Sequence, residues 1–512
     1  MKYGIFGGTF DPFHSGHLSM IKGALDSGAV DEIFVVPAGN PPWKSGNRIT
    51  PAPYRYYMTC DALSGIKHCR VIPDELLRLG LSYTFDTIKS IKEKINPSKK
   101  DEFFLICGTD ILSSLENWYN LRELLQEIQL LIAIRPGISQ EEIVKENFQP
   151  EKNLDARFQY FSIEGIEISS SEIKKNRNYE NLPESVASFI QLHNLYPENN
   201  PLLYISDEVY EKTLQWIPEL FQDLSKRRML HTLNTALLAA TYAHLHKVSP
   251  GKAYISGLLH DCAKEFPLNR QKVMAEAMDY FAEEGFESVI HAPAGAYYAK
   301  NHFGVKDKEI LDAIYYHAMG RKDMTALEKI IFLADKLEPA RRYSDLTHMR
   351  KLAKEDLDRS LLASLLDIKA NFDRNNEPFH PTSNEVIESL MEKENFMEAK
   401  KLTEEIAKVL EDKKAVDIEI LPVAEKTILA EFFIICSGTS TTHIRSLADD
   451  IEYIIKTNLS VTPGHIEGQS TNRWILMDYK DVIVHIFHPE ERKEYSLEQL
   501  WEMKKPDTSI SE

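Results

Sequence analysis

The first stretch of the chain brings together residue types that bind phosphate. An apolar run leads directly into Gly7 and Gly8, and His14 and His17 follow shortly after. Glycine lets backbone N–H groups approach a phosphate closely. A helix that begins near Gly16 adds unpaired N–H groups and a positive dipole end. Two histidines three residues apart at a helix start face the same side, so the stretch predicts a phosphate-binding loop with two imidazoles and no nucleophile.

Composition limits the classes of protein that the chain can belong to. A chain of 512 residues is too long to fold around a single hydrophobic core, and its length alone predicts about three domains. A net charge of −18 argues against broad binding to nucleic acid, so we expect no direct contact with DNA. The five cysteines form no Cys-x-x-Cys pair, and no signal peptide or membrane-length apolar run is evident. We therefore expect a cytoplasmic protein.

Strand-like and helix-like segments alternate over residues 1–198. Short apolar runs predict strands, and the stretches between them have helical periodicity. The predicted strands include Glu32–Pro37, Cys69–Ile72, Phe103–Gly108 and Leu130–Arg135, and the predicted helices are His17–Ser27, Arg55–Ser64, Thr84–Lys94 and Leu121–Ile128. Such alternation indicates a doubly wound α/β domain with a parallel sheet, whose ligands bind at the carboxyl ends of the strands.

Candidate ligand-binding residues follow the later strands. They are Lys44, Tyr83, Thr84, Asp86, Thr87, Gly108, Asp110, Trp118, Arg135, Ser169, Ser170, Ser171 and Lys174. The serine turn could seat a phosphate or simply cap a helix. The opening stretch from Gly4 to Leu18 resembles the signature of the nucleotidyltransferase superfamily, which has a Rossmann-like fold. With the later segments, residues 1–198 resemble nicotinate-nucleotide adenylyltransferases.

This resemblance implies a reaction of NAD biosynthesis. ATP and nicotinate mononucleotide would give nicotinate adenine dinucleotide and pyrophosphate, with Mg²⁺ on the phosphates. The residues implied to bind ATP or the acceptor are the candidate ligand-binding residues that follow the later strands, from Lys44 to Lys174, together with Gly7, Gly8, Thr9, Phe10, His14 and His17. Among them, His14, His17 and Lys44 would take part in catalysis. Tyr83–Thr87 and Trp118 would cradle nicotinate, and Asp110 would contact the ribose or a metal-bound phosphate.

One position departs from the family pattern. Lys174 stands where the family usually has arginine, and lysine lacks the planar, two-pronged contact with phosphate, so weaker ATP binding is expected. Pantetheine-phosphate and cytidylyl transferases share the opening stretch, and only the Tyr83–Thr87 and Trp118 regions argue against them. No cysteine or serine with a paired base is evident, which predicts direct in-line attack by the mononucleotide phosphate on the α-phosphorus of ATP.

The middle of the chain, residues 199–394, has a helical pattern, and its chemistry lies in scattered histidines and aspartates. The candidate metal ligands are His231, His260, Asp261, His291, His317 and Asp335. Several of them end apolar runs, where burial without a partner is costly, so a bound metal is expected. Adjacent helical residues point about 100° apart, so Asp261 would have to bridge two ions. Imidazole with carboxylate suits Fe, Mn or Zn better than Ca.

The same residues, with the segment Asp335–Arg341, resemble HD-domain phosphohydrolases that split diadenosine tetraphosphate symmetrically into two ADP. The resemblance implies an all-α domain that binds two divalent metals, Fe or Mn, through the six ligands. A hydroxide between the metals would attack a phosphorus. Lys264 and Arg341 would neutralise phosphate charge, with Asp261 and Lys264 as the catalytic residues. Guanosine polyphosphates and other nucleotides stay open as alternative substrates.

Residues 395–512 contain no credible catalytic set. Four histidines, His443, His465, His485 and His488, are spread without ligand spacing, so structural roles are expected. The predicted elements are the helices Ala399–Lys413 and Ser440–Lys456 and the strands Val416–Pro422, Glu431–Ser437, Ile475–Tyr479 and Val482–Phe487. A hairpin is expected at Tyr479–Asp481. These elements indicate a small α/β domain with a mixed sheet.

Stretches of this last segment resemble the ribosomal silencing factor family. They are Asp412–Ile418, Cys436–Ser440, Glu467-Gly468, Trp474–Tyr479 and Val484–Phe487. The resemblance implies that the domain binds a protein of the large ribosomal subunit and blocks subunit joining. Acidic character suits a basic ribosomal protein better than bare RNA. The segment Glu431–Phe433 departs from the family's usual Asp-Tyr-Phe, and the alternatives are a degenerate enzyme or a dimerisation module.

The sequence therefore predicts a cytoplasmic chain of three domains, residues 1–198, 199–394 and 395–512. Two would be enzymes that act on nucleotides, and the third would bind the ribosome. A different hypothesis makes ribosome binding the main task and both enzymes vestigial, but the intact motifs of both catalytic segments argue against it. Whether the chain forms a homo-oligomer stays open.

Overall fold

The computed structural model describes residues 1–41, 48–113, 115–134, 157–163, 168–342, 346–424, 426–427 and 429–502, with the backbone alone at residues 110, 113 and 502. The chain divides into two compact units, Met1–Asn384 and Glu385–Glu512. Among the helices of these described ranges, none combines the length and apolar character that crossing a membrane requires.

The first unit opens with a parallel sheet. Its strands are β1 (Lys2–Gly8), β2 (Glu32–Pro37), β3 (Cys69–Val71), β4 (Glu102–Gly108), β5 (Gln129–Ile134) and β6 (Phe158–Ser162). Its helices are α1 (Ser15–Asp26), α2 (Ala52–Leu63), α3 (Thr84–Ile95), α4 (Leu121–Glu127), α5 (Ser170–Asn176) and α6 (Glu184–His193). Within the described residues the strand order is β3-β2-β1-β4-β5-β6, and each neighbouring pair is parallel.

Both faces of this sheet are buried. Along β2, Ile33 and Val35 join one hydrophobic core, whereas Phe34 and Val36 join the core on the opposite face. Strands covered on both faces become continuous apolar runs rather than alternating ones. The prediction of a doubly wound α/β domain is confirmed.

Helices form the rest of the first unit. They are α7 (Asp207–Leu214), α8 (Ile217–Asp223), α9 (Lys226–Leu245), α10 (Pro250–Leu259), α11 (Leu268–Glu276), α12 (His291–Asn301), α13 (Lys308–Tyr316), α14 (Ala326–Leu337), α15 (Thr347–Glu355) and α16 (Leu357–Asn375). Ser225, Ser249 and Thr325 cap α9, α10 and α14, each accepting a hydrogen bond from a backbone N–H three residues later. The core that these helices bury is continuous with one core of the sheet. The predicted all-α region is confirmed.

The remaining elements form a small mixed sheet with helices. They are α17 (Pro381–Asp412), β7 (Val416–Pro422), β8 (Phe432–Ser437), α18 (Thr441–Leu459), β9 (His465–Glu467), β10 (Trp474–Asp478), β11 (Val482–Phe487), α19 (Pro489–Tyr495) and α20 (Leu497–Glu502). The strand order is β7-β8-β11-β10-β9, in which β8 and β11 are parallel and the other neighbours are antiparallel. The backbone N–H of Tyr479 donates to the carbonyl of Val482 over 2.9 Å. The predicted hairpin and mixed sheet are confirmed.

Candidate functional site

The glycine loop after β1 ends in two stacked histidines. A Cβ on Gly8 would lie 2.5 Å from the ring of Phe10, so this position has room only for glycine. Helix α1 begins at Ser15, and the ring centroids of His14 and His17 lie 3.7 Å apart with 25° between the ring planes. Both rings therefore lie on one side, as their spacing predicts.

Both imidazoles are neutral near pH 7. Burial lowers the pKa of His14 to about 4, and burial together with the neighbouring His14 lowers the pKa of His17 well below its ordinary value. The backbone N–H of His14 donates to Nδ1 of His17 over 3.2 Å. Because Nδ1 accepts, the ring proton lies on Nε2, so His17 can donate a hydrogen bond without carrying a charge.

A buried arginine, which the sequence analysis missed, holds this loop in place through hydrogen bonds. Arg55 on α2 is fully buried and donates to the backbone carbonyls of Thr9, Gly39 and Thr50 over 2.8, 3.0 and 2.8 Å. Three charge-assisted hydrogen bonds from one guanidinium fix the ends of two adjacent loops. An arginine among tyrosines on a helix gives no local signal of this role.

Lys174 is paired inside the protein rather than free. Its Nζ lies 2.7 Å from Oδ2 of Asp11, and the hydroxyl of Tyr196 donates to Oδ1 of Asp11 over 2.8 Å. Burial would raise the pKa of Asp11, but the charges of Lys174 and Arg55 hold that pKa below its ordinary value. Lys174 therefore joins the last turn of α5 to the Asp-Pro turn of the loop.

Two serines of the turn before α5 make hydrogen bonds within the protein. Oγ of Ser169 accepts a hydrogen bond from the N–H of Glu172 over 3.2 Å and caps the helix. Oγ of Ser170 donates to the carbonyl of Pro12 over 3.0 Å, whereas Ser171 is exposed. Of the two roles expected for this turn, the helix cap is formed, and the phosphate seat stays a prediction.

An exposed tyrosine, Tyr119, lies beside the residues that are expected to bind nicotinate. The ring of Tyr83 lies 4.7 Å between centroids from that of Tyr119, at 37° between the ring planes, and Tyr119 is 51% exposed and was missed from the sequence. Trp118 packs against the core instead. Thr87 is buried and donates to Oε1 of Glu75 over 2.8 Å. Trp118 is only partly buried, so its expected contact with nicotinate stays a prediction, and Tyr119 offers a further aromatic face.

The other residues expected at the nucleotide site are placed as follows. Gly7 lies at the end of β1, Gly108 ends β4, and Thr84 and Asp86 lie on the first turn of α3. Asp110 is described by its backbone, in the 3-10 turn Thr109–Ser113. Lys44 and Arg135 lie outside the described residues.

The six expected metal ligands converge among the helices. They are His231 on α9, His260 and Asp261 directly after α10, His291 at the start of α12, His317 after α13 and Asp335 on α14. All six are buried. The structure brings the whole expected set together, and its assignment as ligands stays a prediction.

Asp261 lies between two pairs of imidazoles. Its Oδ2 lies 3.3 Å from Nε2 of His260 and 3.6 Å from Nε2 of His231. Its Oδ1 lies 3.3 Å from Nε2 of His291 and 3.7 Å from Nε2 of His317. Burial would raise the pKa of Asp261, but His260 and the other imidazoles hold that pKa well below its usual range. An ionised carboxylate with one oxygen toward each pair can bridge two cations.

In each of the four histidines, the ring nitrogen Nδ1 has a hydrogen-bond partner. Nδ1 of His260, His291 and His317 lies 2.7, 2.8 and 2.6 Å from the backbone carbonyl oxygen three residues earlier. Nδ1 of His231 lies 3.2 Å from Oε1 of Glu338, which is buried and was missed from the sequence. An occupied Nδ1 fixes the tautomer and aims Nε2 inward, as in metal-bound histidines. The donor set therefore fits divalent transition metals better than Ca.

Lys264 contacts one of these expected ligands, His291. Its Nζ donates to the carbonyl of Ser288 over 3.1 Å and lies 2.9 Å from Nδ1 of His291. Burial lowers the pKa of Lys264 to about 8. Its expected contact with a substrate phosphate stays a prediction.

Two arginines line the cavity that reaches the cluster. Arg228 pairs with Asp261, and Nη2 of Arg341 lies 2.8 Å from Oδ1 of Asp335. Both arginines and His231 line a cavity of about 700 Å³. An anionic ligand in this cavity would contact planar guanidinium groups as well as the imidazole of His231.

The histidines of the second unit have local partners. His485 is buried and accepts a hydrogen bond from Nε1 of Trp474 over 3.3 Å, and burial lowers the pKa of His485 to about 4. His488 caps α19 and lies near the side chains of Glu490 and Glu491, a group with metal-compatible spacing. Because that group is partly exposed and acidic, it is no evidence of a metal site by itself.

The parallel sheet and its histidine loop define a nucleotidyltransferase, to which an HD-type helical domain is joined. Family models match residues 5–176 as cytidylyltransferase-like, 228–340 as HD domain and 397–512 as ribosomal silencing factor during starvation. A "Probable nicotinate-nucleotide adenylyltransferase" of Clostridium novyi is 37% identical over 200 residues, which cover 38% of this chain and 98% of that protein. The chain belongs to the nicotinate-nucleotide adenylyltransferase family.

Other relatives match more than one segment of the chain. A protein of Mycoplasma pneumoniae named "Probable nicotinate-nucleotide adenylyltransferase/Ap4A hydrolase" is 28% identical over 362 residues, 69% of this chain and 95% of that protein. A crystal structure of a protein described as a "predicted HD superfamily hydrolase involved in NAD metabolism" from Clostridium acetobutylicum covers 36% of this chain and 97% of its own, at 29% identity and a TM-score of 0.33. The three predicted resemblances and the two enzyme classes are confirmed.

Proposed function

We propose that the first domain transfers the adenylyl group of ATP to nicotinate mononucleotide, giving nicotinate adenine dinucleotide and pyrophosphate. The observation that carries the proposal is the pair of stacked, neutral imidazoles beside the glycine loop. The names of the Clostridium and Mycoplasma relatives support the same acceptor. Exposed Tyr119 beside Tyr83 supplies an aromatic face for a flat ring.

The residues of the chain position the phosphates and stabilise charge. The Nε2–H of His17 donates to the phosphate chain as pyrophosphate leaves, and the first turn of α1 adds unpaired N–H groups. Arg55 keeps the loop carbonyls turned away from the phosphates. Mg²⁺ bound with ATP would neutralise charge on the phosphates. The mononucleotide phosphate attacks in line, and Lys44 and Asp110 keep their expected roles as part of this proposal.

An acceptor panel tests the transferase assignment. The full chain is incubated with ATP, Mg²⁺ and nicotinate mononucleotide, nicotinamide mononucleotide or phosphopantetheine in turn, and CTP replaces ATP in a matched set. We expect pyrophosphate release to be fastest with ATP and nicotinate mononucleotide. Faster release with phosphopantetheine or with CTP would contradict the assignment.

We also propose that the helical domain uses two divalent metals to hydrolyse diadenosine tetraphosphate into two ADP. Asp261 between two imidazole pairs supports a two-metal site, and Fe or Mn suits those donors. The metals would supply Lewis acidity and an activated water. Arg228 and Arg341 hold the polyphosphate in the cavity. The name of the Mycoplasma relative supports this substrate.

Product analysis tests the hydrolase assignment. Diadenosine tetraphosphate and guanosine tetraphosphate are assayed side by side with Mn²⁺ or Fe²⁺, using Asp335→Asn as the matched inactive control. We expect ADP as the sole nucleotide product of the first substrate and slower turnover of the second. Formation of ATP with AMP would contradict symmetrical cleavage, and faster turnover of guanosine tetraphosphate would contradict the substrate.

The third part of the proposal is a cytoplasmic role at the ribosome. The match of residues 397–512 to the silencing factor family supports binding to a protein of the large subunit that blocks subunit joining. The net charge of −18 favours a basic protein partner over RNA. The full chain should co-sediment with purified large subunits and lower the yield of joined ribosomes. A chain that stays in the supernatant would contradict this role.

A further inference from the structure

A buried hydrogen-bond chain runs between the transferase domain and the metal cluster. At its centre is Asn234 on α9, which is 2% exposed. The hydroxyl of Tyr54 donates to Oδ1 of Asn234 over 2.6 Å, and Nδ2 of Asn234 donates to Oε2 of Glu338 over 2.8 Å. Nδ1 of His193 lies 3.1 Å from Nδ2 and 3.2 Å from Oδ1 of Asn234. Tyr54 and His193 belong to α2 and α6, which pack on the parallel sheet.

The partners of Asn234 leave its amide one orientation. The carboxylate of Glu338 accepts, so the Nδ2 group of Asn234 faces it as the donor, while Nδ1 of His193 contacts both ends of the amide. A flipped amide would turn its oxygen toward the carboxylate of Glu338 and lose that hydrogen bond. The hydroxyl of Tyr54 donates to the amide oxygen, so a side chain of the transferase domain helps to hold the amide in this orientation.

The chain ends on one of the expected metal ligands. Glu338 accepts from Asn234 and from the N–H of Ala340, over 2.7 Å for the latter, and its other oxygen holds Nδ1 of His231. The imidazoles of the other histidine ligands are held by backbone carbonyls three residues earlier in the chain. His231 therefore depends on a side chain whose position is set from another domain.

We propose that the transferase domain positions one half of the hydrolase metal centre, through the sequence Tyr54–Asn234–Glu338–His231 with His193 as the second support of Asn234. The inference rests on the proposed metal centre. Tyr54, His193 and Asn234 are positioning residues, because none of them faces Asp261 or Asp335. An ion held by His231 and His260 would depend on them, whereas an ion held by His291 and His317 would not.

Two tyrosine hydroxyls give a matched test. Tyr54→Phe removes the donor to Asn234 and keeps the ring. Tyr210→Phe removes another buried hydroxyl that crosses between the same two domains, because Tyr210 donates to the carbonyl of Ile49 over 3.4 Å. The full chain is stripped with chelator and titrated with Mn²⁺ alone, by calorimetry and electron paramagnetic resonance.

We expect two binding events in the unaltered chain. In Tyr54→Phe one event weakens about tenfold, the low end for loss of a residue that orients a ligand, and the other event keeps its affinity. Tyr210→Phe keeps both. Unchanged affinities in Tyr54→Phe would overturn the proposal, as would equal weakening of both events or the same weakening in Tyr210→Phe. A wild-type chain that binds no Mn²⁺ would instead refute the metal centre itself.

A second variant covers the case in which Tyr54→Phe folds poorly. Asn234→Asp keeps the shape of the side chain but sets a carboxylate against Glu338. We expect the same single event to weaken by about 100-fold, the high end for such changes, and thermal unfolding in chelator verifies that the chain is folded. Affinity equal to that of the unaltered chain would overturn the proposal.

Discussion

Replacement of His17 by alanine gives the most informative test of the transferase site. Its Nδ1 accepts from the backbone of His14, so Nε2 carries the proton and can act as a donor. Loss of one such donor to developing charge costs about 3–4 kcal/mol in the transition state, or about 100- to 1,000-fold in kcat. We therefore expect kcat of His17→Ala to fall by about that factor, with a smaller change in KM.

The assay is steady-state pyrophosphate release with saturating nicotinate mononucleotide. His17→Gln, whose amide nitrogen reaches the position of Nε2, should recover about tenfold over alanine because it restores a neutral donor. His68→Ala, at an exposed position of the same domain, is the control and should stay within about twofold of the unaltered chain.

The pH profile separates a neutral donor from a charged one. Because the pKa of His17 lies well below its ordinary value, the imidazole stays neutral from pH 6 to pH 8. We expect kcat/KM to show no loss across that range that depends on His17. A kcat of His17→Ala within tenfold of normal would refute the reasoning, and so would a rate that falls as pH rises past 6.5 only when His17 is present.

Three further predictions concern stability. Lys174→Ala should destabilise the first domain by about 2 kcal/mol in urea unfolding, because Asp11 stays buried without its cation; an unchanged midpoint would contradict the ion pair. Gly257→Ala should cost about 1–3 kcal/mol and weaken Mn²⁺ binding, because its Cβ would lie 2.7 Å from Cα of Ala236; normal stability would contradict this close approach. Burial lowers the pKa of His485 to about 4 from about 6.5 when unfolded, so the unfolded state binds the extra proton and stability falls as pH drops below 6.5. Hydrogen exchange in β10 and β11 should show a loss of about 3 kcal/mol between pH 7 and pH 4, and His485→Phe should show less.

The strands could be predicted because a buried parallel strand is a continuous apolar run. The bounds of β2 and β11 agree with the sequence analysis. Strand β6, Phe158–Ser162, was not anticipated. It is short, its residues are mixed in polarity, and they are partly exposed at the sheet edge. Helix α2 begins at Ala52 rather than Arg55, because proline is tolerated in the first turn of a helix.

The chemistry-bearing residues could be found because their types are rare at those positions. Histidines and aspartates that end apolar runs stand out, and the six expected metal ligands do converge. The residues that hold them could not be found. Arg55, Asn234 and Glu338 are ordinary residues for a helix or a helix end, and their partners lie far away in sequence. Such roles arise only when distant segments are packed together.

A crystal structure of the full chain with a non-hydrolysable ATP analogue and Mg²⁺ would test the central claim most directly. We expect the triphosphate to lie along residues 7–17, with a phosphate oxygen within hydrogen-bond distance of Nε2 of His17 and of the first-turn N–H groups of α1. A triphosphate bound away from that loop would contradict the transferase mechanism and, with it, the assignment of nicotinate mononucleotide as the acceptor.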